Sequence, residues 1–136
     1  MPPEESLYPA DWLRIAEKDL ARIEMLLDSH DPALAGFCLE QAVEKFLKAF
    51  LLSKGWKLRR IHNLDALLDD ATAYDPSLDA FRSVCQKITV YYSIERYPYV
   101  LDSGITEEDV RTSRQQVNAL IEKLRTMVDL TKADPT

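Results

Sequence analysis

Glycine, cysteine and histidine are scarce in this chain of 136 residues, which contains three glycines, two cysteines and two histidines. So few glycines favour long helices over many short strands, because strands need frequent turns. The sequence contains no glycine-rich phosphate loop and no Ser-His-Asp set. Cys38 and Cys85 match no metal-ligand spacing. We therefore expect buried free thiols, no metal site and no cofactor.

A long apolar run is also missing from the sequence. No segment approaches the roughly 20 apolar residues that cross a bilayer, so no membrane span is predicted. The first residues, Met1–Glu5, are too acidic and too poor in apolar side chains for a signal peptide. We expect a cytoplasmic protein, in which free thiols stay reduced.

Charge is unevenly distributed along the chain. The net charge is −6, which argues against indiscriminate binding of nucleic acid by the whole surface. Between residues 45 and 60 there is nevertheless no acid, and the basic residues there are Lys45, Lys48, Lys54, Lys57, Arg59 and Arg60. This run indicates either a confined anionic partner or a solvated helix end whose cations complement the helix dipole.

Apolar periodicity predicts an all-α, up-down bundle of about five helices in a single domain over residues 9–130, with flexible tails at 1–8 and 131–136. The predicted helices are Pro9–Asp28, Pro32–Lys54, Leu64–Tyr74, a helix from Pro76 to about Tyr92, and Glu107 to about Leu130. Ser93–Ile105 is predicted to be a loop. The predicted N-caps are Asp31, Asn63, Asp75 and Thr106, the last in a capping box with Asp109.

The second predicted helix carries polar residues among many apolar ones. Gln41, Lys45 and Lys48 follow the spacing i, i+4, i+7 and so share one stripe. One interpretation is that this stripe opens toward a ligand as a mixed-charge groove. The alternative is an ordinary i, i+4 pair between Glu44 and Lys48.

Arg96 is the strongest single candidate for binding an anion. Pro98 disfavours helical geometry at Tyr97, so the chain is expected to turn directly after Arg96. The guanidinium fork can then face a phosphate, or form a salt bridge with Glu44 or Glu40. The neighbouring rings of Tyr91, Tyr92, Tyr97 and Tyr99 can stack on bases, or can serve the core and a dimer interface.

Neither histidine is expected to be catalytic. His62 directly precedes the third predicted helix, where local hydrogen bonding is its expected role. His30 is expected to be an exposed loop residue.

Several of these residues together resemble the HEPN family of small prokaryotic helical domains. The resemblance lies in Trp-x3-Ala-x2-Asp-Leu from Trp12, Gln-Ala-Val-Glu-Lys-x2-Lys-Ala from Gln41, His62-x-Leu64, and Arg96-Tyr97-Pro98. It implies an all-helical fold, dimerisation, association with a nucleotide or nucleic acid, and often an adjacent nucleotidyltransferase.

The resemblance also bears on catalysis. Ribonucleolytic members of the family carry an Arg followed after four to six residues by a His, whereas no His follows Arg96 here. Without that imidazole, the chain lacks the residue that usually accepts and donates protons in catalysis at neutral pH, so no catalytic residue is assigned. The interpretation is a non-catalytic homodimer beside a separate nucleotidyltransferase chain, in a toxin–antitoxin-like unit that binds a nucleotide, RNA or DNA.

The predicted phosphate- or nucleotide-binding residues are Gln41, Glu44, Lys45, Lys48, His62, Tyr92, Arg96 and Tyr97. Two alternatives remain. One is a degenerate metal-independent ribonuclease that uses Arg96 and His62. The other is a helical scaffold whose basic patch binds only another protein's acidic surface.

Overall fold

The computed structural model describes residues 6–96 and 104–128, and only the backbone of residues 94–96. This part of the chain contains α1 (Pro9–Asp28), α2 (Pro32–Ser53), α3 (Leu64–Thr72), a 3₁₀ helix (Pro76–Phe81), α4 (Arg82–Arg96) and α5 (Glu107–Met127). The described residues contain no strand. The predicted all-α bundle is confirmed.

The helix starts follow from local side-chain hydrogen bonds. Asp31 accepts a hydrogen bond from the backbone N–H of Leu34, and Asn63 accepts from two N–H groups at the start of α3. Thr106 and Asp109 form the predicted capping box. Each of these contacts satisfies an N–H group that the first helical turn leaves unpaired.

The fourth predicted helix needs two corrections. Its start is a 3₁₀ helix, which opens with a hydrogen bond of 3.1 Å from the N–H of Leu78 to the carbonyl of Asp75, the i→i+3 closure of that geometry. Its end lies at Arg96, so the loop predicted from Ser93 begins too early. Pro98 disfavours helix chiefly at the residue before it, which leaves room for one more turn.

The other helix ends differ slightly from prediction. The structure ends α2 at Ser53 and α3 at Thr72, one and two residues before the predicted positions. The last helix ends at Met127, and Leu130 lies outside the described residues.

The second helix is the centre of the bundle. It packs against all four other α-helices. Fifteen of its 22 residues are buried, including the large rings of Phe46 and Phe50. Because neighbours cover it on several sides, its polar residues as well as its apolar ones lie inside the protein.

A glycine lets α4 approach α2 closely. A Cβ atom at Gly36 would lie 2.9 Å from Ile105 Cδ1 and 3.1 Å from Tyr91 Cγ. The Tyr91 hydroxyl in turn lies 2.9 Å from Ser113 Oγ, which ties α4 to α5. This close packing fixes the part of α4 that carries the next residue, Tyr92.

Both cysteines are buried and not joined in a disulfide, as predicted. Burial raises the pKa of the Cys85 thiol to about 12, so the reactive thiolate is disfavoured. Among the described residues, no helix has the length and hydrophobicity needed to cross a membrane.

Candidate functional site

Two residues of α2 form an ion pair inside the protein. Lys48 Nζ lies 3.0 Å from Glu44 Oε2, and both side chains are at most 3% exposed. The same ammonium lies 5.1 Å from the centre of the Trp12 ring. The i, i+4 pair considered from the sequence is therefore present, but it is buried, where loss of one partner is far more damaging than at the surface.

Glu40 adds a second carboxyl group, one turn before Glu44. Its Oε1 accepts a hydrogen bond of 2.8 Å from Gln41 Nε2, while its buried Oε2 accepts none from the described residues. Burial, and next the charge of Glu44, raise the pKa of Glu40 to about 9. Glu40 is therefore protonated at neutral pH and carries an O–H donor.

His62 connects this interior to the surface. Its Nδ1 lies 3.2 and 3.3 Å from the two carboxylate oxygens of Glu44, while its side chain is 49% exposed. Its ring stacks on Tyr92 at 5.0 Å, and Tyr92 stacks on Phe37 at 5.8 Å. We refer to Phe37, Tyr92 and His62 as the ring stack.

The ring stack is assembled from three segments that are distant in sequence. Phe37 comes from α2, His62 from the connector between α2 and α3, and Tyr92 from α4. A carboxylate against Nδ1 orients an imidazole and leaves its Nε2 to face a ligand. The arrangement can therefore place a fixed, partly exposed imidazole beside aromatic faces, where a base or a phosphate can be bound.

Lys45 is directed to a different neighbour. Its Nζ lies 2.6 Å from Oδ2 of Asp19 in α1, and that carboxylate also accepts a hydrogen bond of 2.9 Å from Arg22. The predicted stripe on α2 is therefore divided in the described structure. Lys48 is inside the protein, Lys45 is bound to α1, and Gln41 donates to Glu40.

Arg96 is the last residue of α4, one turn after Tyr92. Its side chain lies outside the described residues, and so do Tyr97 and Tyr99. The predicted approach of the Arg96 guanidinium to the polar residues of α2 therefore stays a prediction.

The structure changes the role expected for His62. The local hydrogen bonding predicted there is made by Asn63, which caps α3, whereas His62 reaches Glu44, 18 residues earlier. His30 is exposed as predicted and adopts a positive φ of 60°. Tyr91 belongs to the core.

Sequence reasoning gave no site role to Phe37 or Asp19, and it considered Glu40 only as a partner for Arg96. A signal for Asp19 was present, because Trp12, Ala16 and Asp19 follow i, i+4, i+7 and so place the carboxylate on the buried face of α1. Phe37, Glu40 and Glu44 likewise follow i, i+3, i+7 on α2.

Comparison with known proteins gives a match at the level of the family. A family model described as HEPN domain matches residues 9–127, which is most of the chain. No curated protein and no solved structure gives a significant match. This extent of agreement, together with the helical bundle, is consistent with a function related to nucleic acid. The chain belongs to the HEPN domain family.

Proposed function

We propose that this chain is a non-catalytic binding module that forms a homodimer and binds a nucleotide or nucleic acid. In this proposal it acts with a separate nucleotidyltransferase chain as a toxin–antitoxin-like unit. Membership of the HEPN domain family supports a function related to nucleic acid. The chemistry of the ring stack supports a ligand that has both a ring and a negative charge.

The observation that carries the proposal is the half-exposed imidazole of His62, held by the buried carboxylate of Glu44 and stacked on Tyr92. An aromatic face can stack on a base, and an imidazole N–H can donate to a phosphate oxygen. Arg96 follows Tyr92 by one helical turn, and its guanidinium is proposed as the second phosphate donor, with Tyr97 beside it.

The remaining predicted site residues have indirect roles in this proposal. Lys48 compensates the charge of Glu44, and Lys45 compensates that of Asp19. Gln41 donates a hydrogen bond to Glu40, which is protonated and therefore neutral. These contacts limit the negative charge behind the imidazole, which would otherwise repel a phosphate.

Binding of fluorescently labelled oligouridylate, followed by anisotropy, tests the proposal. We expect affinity to fall steeply between about 50 and 200 mM salt, because phosphate contacts release counterions. His62→Ala and Arg96→Ala should each weaken binding about tenfold, since each removes a hydrogen bond to a charged phosphate. The control is Arg14→Ala, at an exposed position on α1, which should bind like the unmodified chain.

Affinity that does not depend on salt, or equal binding by all three variants, would contradict the anion-binding proposal. Sedimentation of the same samples, with and without a co-expressed nucleotidyltransferase chain, tests the assembly. A monomer that forms no complex would contradict that half of the proposal.

One observation also favours a second candidate, a metal-independent ribonuclease. The contact between His62 Nδ1 and Glu44 is the kind that orients a general base and sets its tautomer. In this reaction His62 accepts the proton of a ribose 2′-hydroxyl as its oxygen attacks phosphorus. The bond between phosphorus and the 5′-oxygen breaks, the leaving 5′-oxygen takes up a proton from water, and a 2′,3′-cyclic phosphate is formed.

Cleavage of oligouridylate in the presence of EDTA distinguishes the two candidates. The ribonuclease predicts cyclic-phosphate products, a rate reduced at least about a hundredfold in His62→Ala, and full resistance of oligothymidylate, which lacks the 2′-hydroxyl. Glu44→Gln should change the dependence of the rate on pH. If the unmodified chain binds oligouridylate without cleaving it, the non-catalytic module stands and the ribonuclease is excluded.

A further inference from the structure

We propose that a second surface of this chain, separate from the ring stack, binds the backbone and bases of single-stranded nucleic acid. The surface is a groove of about 380 Å³ between the α2–α3 connector and the end of α3, lined by Trp56, Lys57, Arg59, Asp70 and Tyr74 among others. We refer to it as the connector groove. It goes beyond the function proposed above, because it uses none of the ring-stack residues.

A tight turn at the end of α2 shapes the connector groove. Gly55 has a φ of 90°, a left-handed conformation that glycine adopts without steric cost. The N–H of Trp56 then bonds to the carbonyl of Leu51 at 3.0 Å, as in a Schellman motif. The turn directs the connector across the end of α3, where the indole N–H of Trp56 lies 2.9 Å from Asp70 Oδ2.

The lining of the groove has two cations, Lys57 and Arg59, and two acids, Asp69 and Asp70. The four cations of the connector, Lys54, Lys57, Arg59 and Arg60, are all exposed. The two acids, which belong to α3, form ion pairs: Asp70 lies 3.1 Å from Arg59, and Asp69 lies 2.7 Å from Arg82. Arg59 is therefore paired, whereas Lys57 forms no ion pair with any residue in the part of the chain that the structure describes, so its ammonium is available to a phosphate.

Aromatic rings occupy the same groove as these cations. Tyr74 is 45% exposed and is held edge-on against Phe50, with ring centres 6.4 Å apart. Trp56 is partly exposed and is fixed by Asp70. Rings held in place beside cations are the combination that single-strand binders use, with stacking for bases and positive charge for the backbone.

The pairing of rings with cations favours nucleic acid over an acidic protein. An acidic peptide would be bound by the cations alone and would leave the exposed face of Tyr74 without a stacking partner. The ring stack lies near the start of α3 and the connector groove near its end. The nine residues of α3 span about 13 Å, and the two sites share no residue, so each can be tested by its own variants.

Tryptophan fluorescence offers a specific signal for the connector groove. The chain has two tryptophans, and Trp12 is only 1% exposed. Titration with oligothymidylate should therefore quench Trp56, and Trp56→Phe should lose this response while still binding by anisotropy. Lys57→Ala should reduce the slope of log affinity against log salt by about 1, because one phosphate contact is lost.

Two further variants complete the experiment. Tyr74→Leu should weaken binding about tenfold, since it removes a stacking ring. Lys18→Ala, at an exposed position on α1, is the matched control for Lys57→Ala and should leave both slope and affinity unchanged.

Three results would overturn the proposal. They are an unchanged salt slope in Lys57→Ala, an absence of quenching when oligothymidylate binds, and binding of polyglutamate as tight as that of oligothymidylate. Quenching that His62→Ala or Arg96→Ala abolishes while Lys57→Ala retains it would also overturn it, because the ligand would then belong to the ring stack. Conversely, quenching retained in those two variants would support the groove even if the ring-stack proposal failed.

Discussion

Lys48→Met is expected to destabilise the fold by about 3–5 kcal/mol, the effect of removing one partner from a buried ion pair. Methionine preserves most of the apolar stem that packs beside Trp12, so the loss would come mainly from the charge. Glu44 would then keep His62 and the neutral Glu40 as neighbours, but no cation that is always charged. Urea unfolding should show a lower midpoint concentration, while the slope of the free energy of unfolding against urea concentration stays unchanged.

Two variants make this measurement specific. Lys18→Met, at an exposed position on α1, should change stability by less than about 0.5 kcal/mol. Glu44→Gln combined with Lys48→Met should be less destabilised than the sum of the two single changes, because the double variant buries no uncompensated charge. A loss below about 1 kcal/mol in Lys48→Met would show that the ion pair does not hold this interior together.

Glu40→Gln is expected to stabilise the protein at neutral pH, on the order of 3 kcal/mol at pH 7. The folded-state pKa of Glu40 is about 9, above its ordinary value of 4.5, mainly because the carboxyl group is buried and next because Glu44 is close. The folded state therefore keeps a proton that the unfolded chain releases at neutral pH. The amide of glutamine resembles the protonated acid and needs no proton.

The sign of the pH dependence follows from the raised pKa. Stability due to Glu40 is fully present below pH 4.5 and is lost as the pH rises from there to about 9. Urea unfolding should therefore show that Glu40→Gln has a higher free energy of unfolding than the unmodified chain. This difference should grow as the pH rises from 4.5 to 8. Glu108→Gln, at an exposed position in the first turn of α5, should change stability by less than about 1 kcal/mol. An advantage of Glu40→Gln that does not change with pH would contradict the raised pKa.

The helices were largely predictable because their signals are local. Pro32 after Asp31 marks the start of α2, and Thr106 with Asp109 marks the start of α5. The errors arose where no local signal decides. Pro98 excludes helix at its neighbour but does not say where the preceding helix ends, so the final turn of α4 was assigned to a loop.

The candidate site was predictable only in part. The periodic pattern places Glu44 and Lys48 one turn apart, but spacing alone does not tell a surface pair from a buried one. Burial follows here from the packing of α2 against all four other α-helices. The same packing brings His62 to Glu44 and so replaces the capping role expected from its position before α3.

By itself, the sequence determined the all-α class, the starts of α1, α2, α3 and α5 and the resemblance to the HEPN domain family, because periodicity and capping act within a few residues of the chain. Only the tertiary structure decided which charges are compensated and where. Lys45 binds Asp19, 26 residues earlier, and His62 stacks on Tyr92, 30 residues later in the chain. Such contacts depend on how whole helices pack, since the energy of a charge or a ring is set by burial and by the neighbours that the fold supplies.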